Sequence, residues 1–195
     1  MKIMKLTYPL LLACLTACTT PKLPQETPTP TPPSHANVSE LKSWELSGAI
    51  AAKNNQKGWS ASLSWLQQNK EHYQIRLFGP LGGGAVMIEN NGGIVTYVDG
   101  KKKLSSPNPD SLLEQQTGVR LPVENLYYWV RGMPAPNSTS STHYDATGHL
   151  TELTQAGYTI HYERYTHIHE LDLPMKIELH SNEISIKMII KKWVI

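Results

Sequence analysis

Phenylalanine is almost missing from this chain: Phe78 stands alone beside five tryptophans and nine tyrosines. Trp and Tyr suit half-buried strands and surfaces where one end of the ring meets water, so a core of stacked phenylalanines is excluded. Cysteine is equally scarce. Cys14 and Cys18, both near the start, are the two that the sequence holds. A disulfide framework within one chain is not expected, and no thiolate cluster is available for a structural zinc. Long apolar runs are absent too. The stretch from Leu6 to Ala17 is shorter than the roughly 20 residues a membrane-spanning helix needs. Charge is small in sum. The formal value of +2 includes Lys2 and Lys5 and falls to zero without them, which gives no electrostatic reason to expect nucleic acid or a strongly acidic partner.

What is present begins with Lys2 and Lys5 ahead of a mostly apolar segment, then Leu15-Thr16-Ala17-Cys18. A short basic-then-apolar start with small residues before a cut site is an export signal. Leu-Thr-Ala-Cys resembles the lipobox of bacterial lipoproteins, in which the Cys thiol receives a diacylglyceryl group and cleavage frees its amine for acylation. Residues 1–17 are therefore expected to be a lipoprotein signal, with Cys14 removed and Cys18 as the lipidated first residue. The bland alternative is a plain secretory signal that contains a cysteine. Thr19 follows Cys18 where an aspartate would signal inner-membrane retention, which favours the outer membrane.

Residues 18–37 continue as "CTTPKLPQETPTPTPPSHAN", without apolar periodicity. This composition reads as a polyproline-type tether reaching up to about 3.1 Å per residue, with a proline-recognition ligand as the alternative. From Trp44 the pattern becomes period two. "GWSASLSW" sets Trp59, Ala61, Leu63 and Trp65 against serines. "HYQIRLF" sets Tyr73, Ile75 and Leu77 against Gln74 and Arg76, and "EISIKMII" aligns Ile184, Ile186, Met188 and Ile190. Alternation of this kind predicts antiparallel strands with one covered and one wet face. Turn signals at Asn54-Asn55, Asn69-Lys70, Asn90 to Gly93, Asp99-Gly100, Thr147-Gly148 and Ser181-Asn182 separate the runs. Eleven strands are predicted, starting near residues 44, 58, 71, 84, 93, 102, 142, 148, 157, 174 and 183.

Two helices interrupt them. Asn108 before Pro109 and Asp110 is an N-cap followed by proline at the first helical position, and Gly118 is a C-terminal stop. In "PVENLYYWVRG", Val123, Leu126, Tyr127 and Val130 form one apolar face, ended by Gly132 and Pro134. A third short helix is predicted over Val38 to Lys42. One long antiparallel sheet buries its apolar face economically by curling into an incomplete barrel and receiving the helices in its mouth. The fold class is thus mainly β (α+β), an eleven-stranded antiparallel half-barrel over residues 38–195 with two or three helices covering its concave hydrophobic face.

Catalytic chemistry is not legible. Gly79-Pro80-Leu81-Gly82-Gly83-Gly84 lacks the Lys-Ser/Thr of a phosphate loop and feeds a strand, so it reads as a hairpin turn. His161, His167 and His169 are the candidates for a metal. Neighbouring Glu163, Glu170 and Asp172 favour an ordinary polar loop instead. No enzyme activity, cofactor or metal is expected, and a binding protein is the better reading.

The blocks "WELSGAIAAK", "GWSASLSWLQQNKEHYQIRLFGPLGGGAVMIENNGG", "TGVRLPVENLYYWVRGMPAP" and "IKMIIKKW" together resemble the LolB family, the outer-membrane lipoprotein receptors of Gram-negative bacteria. The third block is the most specific, with Thr117-Gly118, Leu121-Pro122, Tyr128-Trp129 and Gly132-Met133-Pro134 in the family's order. The resemblance implies a half-barrel whose cavity holds lipoprotein acyl chains and a body anchored in the outer membrane, facing the periplasm. Its partners would be the soluble periplasmic carrier LolA, cargo lipoproteins and the inner leaflet of the outer membrane, with no nucleic acid and a monomeric body. On this reading Leu63, Trp65, Ile75, Leu77, Val86 and Ile88 line the cavity. Leu126, Tyr127 and Val130 cover it, although plain core packing serves those three equally. The resemblance also implies that Leu81, on the loop Gly79-Pro80-Leu81-Gly82, is an exposed apolar residue used in delivery to membrane. The alternatives are a lipoprotein that binds another hydrophobic ligand or scaffolds an envelope complex, and a hydrolase whose site is assembled from distant residues.

Overall fold

The computed structural model describes residues 35–79, 84–136 and 138–195. Cys18, the signal and most of the tether lie outside the described residues, as do Pro80, Leu81 and Gly82. The order of elements is α1 (His35–Glu40), β1 (Trp44–Lys53), β2 (Gly58–Asn69), β3 (His72–Phe78), β4 (Ala85–Asn91), β5 (Ile94–Asp99) and β6 (Lys102–Ser106). Then follow α2 (Pro109–Thr117), α3 (Val123–Trp129), β7 (Ser140–Tyr144), β8 (Leu150–Gln155), β9 (Tyr158–Ile168), β10 (Leu171–His180) and β11 (Ser185–Val194). All eleven strands join one antiparallel sheet in the order β6-β5-β4-β3-β2-β1-β11-β10-β9-β8-β7. Two meanders, β1 to β6 and β7 to β11, meet at β1 and β11, and α2 and α3 connect them.

The period-two reading has the right phase. Leu46, Ile50 and Ala52 of β1, Leu63 and Trp65 of β2, and Ile186, Met188 and Ile190 of β11 are all buried. They sit opposite one another as Leu46↔Trp65 and Ile50↔Met188, so one face of the sheet is continuous apolar surface. The other face carries Ser60, Ser62, Ser64 and Lys187. At the seam the register slips between Ser47 and Gly48, placing Ser47 opposite Lys192 and Gly48 opposite Ile190. The extra residue in β11 lets Ile190 and Trp193 both face inward across two exposed lysines. Only glycine fits at the slip: a Cβ on Gly48 would lie 2.0 Å from the Ile189 carbonyl oxygen.

The helices follow their predicted signals with small displacements. Asn108 caps α2 by accepting from the Ser111 amide at 3.0 Å, and Gly118 closes it at φ 72°. The first helix spans His35–Glu40, upstream of the predicted Val38 to Lys42, because Leu41 already turns back to the Val38 carbonyl before β1 starts. Within "PVENLYYWVRG" the helix stops at Trp129, and Val130 becomes its C-cap. Strand β10 begins three residues before the predicted Pro174. The proline is tolerated there because β10 at that point pairs with β9 through Tyr165 and with no residue of β11.

Candidate functional site

The concave face is aromatic at its centre. Trp44 lies 5.1 Å from Trp65, 5.3 Å from Trp193 and 6.5 Å from Tyr127, ring centroid to ring centroid. Tyr73 continues the cluster 6.4 Å from Trp65. Of the residues predicted to line the concavity, Leu63, Trp65, Ile75, Leu77 and Ile88 are buried in this core, and Val86 is half-buried against it. Leu126, Tyr127 and Val130 are buried in the same cluster from the helical side. The structure thus brings both sets together, with Tyr127 of α3 stacked against Trp44 of β1.

The side chains of Asn54, Asp110, Gln155 and Arg131 fasten the helical cover. The Asn54 side-chain amide donates to the Gly118 carbonyl at 2.7 Å, tying the end of α2 to the β1–β2 turn. The Val123 amide donates to Asp110 at 3.1 Å, joining α3 to α2. Burial pushes the Asp110 carboxyl up from its ordinary range, and this hydrogen bond partly offsets it. Trp129 donates its indole N–H at 2.9 Å to Gln155, whose own amide donates to the Ala135 and Ser138 carbonyls. Arg131, only 2% exposed, donates through Nε to the Tyr127 carbonyl at 2.9 Å and through Nη1 to the Leu41 carbonyl at 2.6 Å. Burial draws the guanidinium below its usual range.

Two spaces lie between cover and sheet, one of about 420 Å³ between Asp110, Arg120 and Asn125 and the β8–β9 and β10–β11 turns, and a smaller one along the aromatic core. A crevice of about 250 Å³ runs beside Trp65, Tyr73, Val95, Pro109, Val123 and Tyr127. Around the aromatic cluster the concavity is filled by the chain's own side chains. Two broader depressions of about 470 and 520 Å³ lie on the convex face over Ala49, Ala51, Ser60 and Ser62 and are no part of this site. Three donors inside the apolar region lack a partner among the described residues: the indole N–H groups of Trp44 and Trp59 and the hydroxyl of Tyr162.

The sequence reading gave no site role to Trp44, Trp129, Gln155 or Arg131. Gln155 and Arg131 carried no periodic signal, since both are polar residues buried by long-range partners. The histidines singled out as possible ligands are dispersed. His161 faces Glu152 at 3.5 Å, His167 bonds Asp172 at 2.8 Å, and His169 sits in the turn after β9. Burial pushes the Asp172 carboxyl up, but hydrogen bonds from His167 and His149 outweigh it and hold it below its ordinary range. Among the described residues no group of three or more His, Cys, Asp or Glu is placed to hold a metal ion. Nor is any described helix long and apolar enough to cross a membrane.

An open antiparallel sheet whose apolar, aromatic concave face is covered by helices is the class of fold that these elements define. A crystal structure of a DUF1329 family protein from Desulfovibrio piger superposes with a TM-score of 0.55 at 5% identity, over 81% of this chain and 88% of that one, a likeness of fold alone. Residues 42–193 match the family model described as "Outer membrane lipoprotein LolB". Outer-membrane lipoprotein LolB of Ectopseudomonas mendocina is 38% identical over 157 residues, 80% of this chain and 76% of that protein. The protein of the same name from Pseudomonas paraeruginosa is 40% identical over the same shares. The chain belongs to the LolB family of outer-membrane lipoproteins.

Proposed function

We propose that this chain is a receptor that takes lipoproteins from the soluble carrier LolA, holds their acyl chains on the concave face and inserts them into the inner leaflet of the outer membrane. It works as a monomeric body on a lipidated Cys18, facing the periplasm. The observation that supports the reading is the aromatic concave face covered by helices. Each methylene withdrawn from water is worth about 0.8 kcal/mol, so a lipoprotein anchor cannot cross an aqueous compartment bare. The crevice is too small for such an anchor, so α2 and α3 must swing out as it enters. The Asn54–Gly118 bond is the fastening that gives first, because it ties a turn rather than the aromatic cluster. Acyl chains then replace Leu126, Tyr127 and Val130 against Leu63, Trp65, Ile75, Leu77, Val86 and Ile88. The exchange substitutes one apolar surface for another, so it needs no nucleotide and runs downhill from carrier to receptor to bilayer. Leu81, which falls between β3 and β4 in the sequence, enters the lipid interface and gains roughly 1.5–3 kcal/mol there, enough to orient the body but too little to anchor it. The deciding experiment is transfer of a purified lipoprotein from loaded carrier to this protein, followed by release into liposomes. A folded protein that takes up no lipoprotein would defeat the proposal.

A further inference from the structure

The turn between β7 and β8 meets β10 through a row of polar contacts that a neutral histidine leaves one proton short. Asp145 Oδ1 accepts from the backbone amides of Thr147 and His149 and lies 2.6 Å from the Thr147 hydroxyl. That hydroxyl is 2.9 Å from His149 Nδ1, and His149 Nε2 is 3.2 Å from Asp172 Oδ2 on β10. Three contacts thus run in series, from Asp145 to Thr147, to His149, to Asp172, and each needs a hydrogen between its two electronegative atoms. The hydroxyl supplies one hydrogen and a neutral imidazole a second. In either neutral tautomer, lone pairs oppose each other somewhere along the row. The imidazolium form supplies the third hydrogen and sets a positive charge between two carboxylates. The other Asp145 oxygen, Oδ2, stands 3.4 Å from His149 Nδ1 and is also an acceptor. A hydrogen bond from Thr147 holds the Asp145 carboxyl below its ordinary range. Burial raises the Asp172 carboxyl, and hydrogen bonds from His167 and His149 outweigh it.

We infer that His149 is a proton-binding site that closes a clasp in acid: protonated, it joins the β7–β8 turn to the β9–β10 hairpin, and neutral, it lets them part. The clasp borders the helical cover. His149 lies flat on Tyr165 of β9, with ring centroids 4.4 Å apart and planes 10° from parallel. Tyr165 donates its hydroxyl to the Leu150 carbonyl at 2.7 Å, and a Cβ on Gly132, just past Arg131, would lie 3.3 Å from that hydroxyl. The titratable groups facing the two rings are Asp145 and Tyr144 from the β7–β8 hairpin, His167 from β9 and Asp172 from β10. His169 and Glu170 sit in the adjoining turn. Both carboxylates are ionised above roughly pH 4, and histidine loses its proton between about pH 5 and 8. The clasp is therefore closed from about pH 4 to 6 and opens as pH rises further. This inference is independent of the receptor reading.

Hydrogen exchange of the full-length protein tests it. Protection of the β7–β8 hairpin amides, taken relative to the unstructured chain at each pH, should fall about threefold or more between about pH 5.5 and 8. His149→Gln, which cannot take up the proton, should show the lower protection at both values. Its thermal midpoint should lie about 2–4 °C below wild type at the lower pH and close to it at the higher. His143 is exposed on β7, and His143→Gln should behave as wild type throughout. Wild-type protection that does not change between the two values overturns the inference without any variant. So does an equal loss of midpoint in His149→Gln at both, which would make His149 a packing residue, or a pH response that disappears in His143→Gln.

Discussion

The guanidinium of Arg131 lies 4.0 Å above the ring of Tyr127, with Tyr128 5.6 Å away on a second side. No carboxylate pairs with it among the described residues. Aromatic faces and two backbone carbonyls hold the charge, and one of those carbonyls belongs to Leu41, just ahead of β1. Arg131 therefore joins the helical cover to the segment through which the chain enters the half-barrel.

Arg131→Ala should destabilise the protein by about 2–4 kcal/mol, because it leaves carbonyls unpaired and removes packing beneath Tyr127. Arg131→Lys should recover little, since an ammonium can neither stack nor bridge both carbonyls. Urea unfolding measures the loss. A hydrophobic fluorescent probe should bind both variants more readily than the wild type.

Tyr162 is buried with a hydroxyl that has no partner among the described residues, and burial drives its pKa well above the ordinary range. Tyr162→Phe removes the stranded hydroxyl and keeps the ring. It should raise stability by roughly 1 kcal/mol, read as a higher thermal midpoint. A lower midpoint would mean that the hydroxyl is satisfied in solution.

Glu178 bonds Lys187 at 2.8 Å and Lys176 at 3.2 Å, which draws its carboxyl from 4.5 to about 2. A depressed folded pKa gives stability that is full above about pH 4.5 and lost as pH falls towards 2. Glu178→Gln should therefore lower the unfolding midpoint at neutral pH and leave it nearly unchanged near pH 2. Its acid-side decline should be shallower than that of the wild type. Lys187 is exposed and Lys176 and Glu178 are half-buried at the surface, so added salt should narrow the difference.

Leu81→Glu should leave folding and uptake from the carrier close to wild type while impairing insertion into liposomes. Equal insertion at matched loading would remove Leu81 from the delivery step. Cys18→Ala should abolish acylation, as intact mass will report, yet the unacylated body should still accept lipoprotein.

The β architecture was legible because each strand covers one face, so Leu63, Trp65, Ile75 and Leu77 announce their direction by alternation alone. Asn108, Pro109 and Gly118 similarly carry local geometry in their own chemistry. The cover's fastenings were not legible. Arg131 meets Leu41, and Gln155 meets Trp129 and Ala135, across stretches of chain whose proximity depends on the finished fold. Polar residues give no periodic hint of burial.

The seam between β1 and β11 also sets the order in which the molecule can be made. Glu45 pairs with Val194, so the middle of the sheet is assembled from its first and last strands. Until β11 is available, the meander of β1 to β6 keeps an open edge, and Leu46, Ile50 and Ala52 stay uncovered on that side. No intermediate made from the amino-terminal part alone can bury this face. Folding is therefore governed by a contact between distant parts of the chain, which places it among slow, non-local topologies. A nascent or nicked chain lacking β11 would expose two neighbouring edges, those of β1 and β10, and would aggregate through them. The half-barrel must itself be sheltered until its final strand arrives.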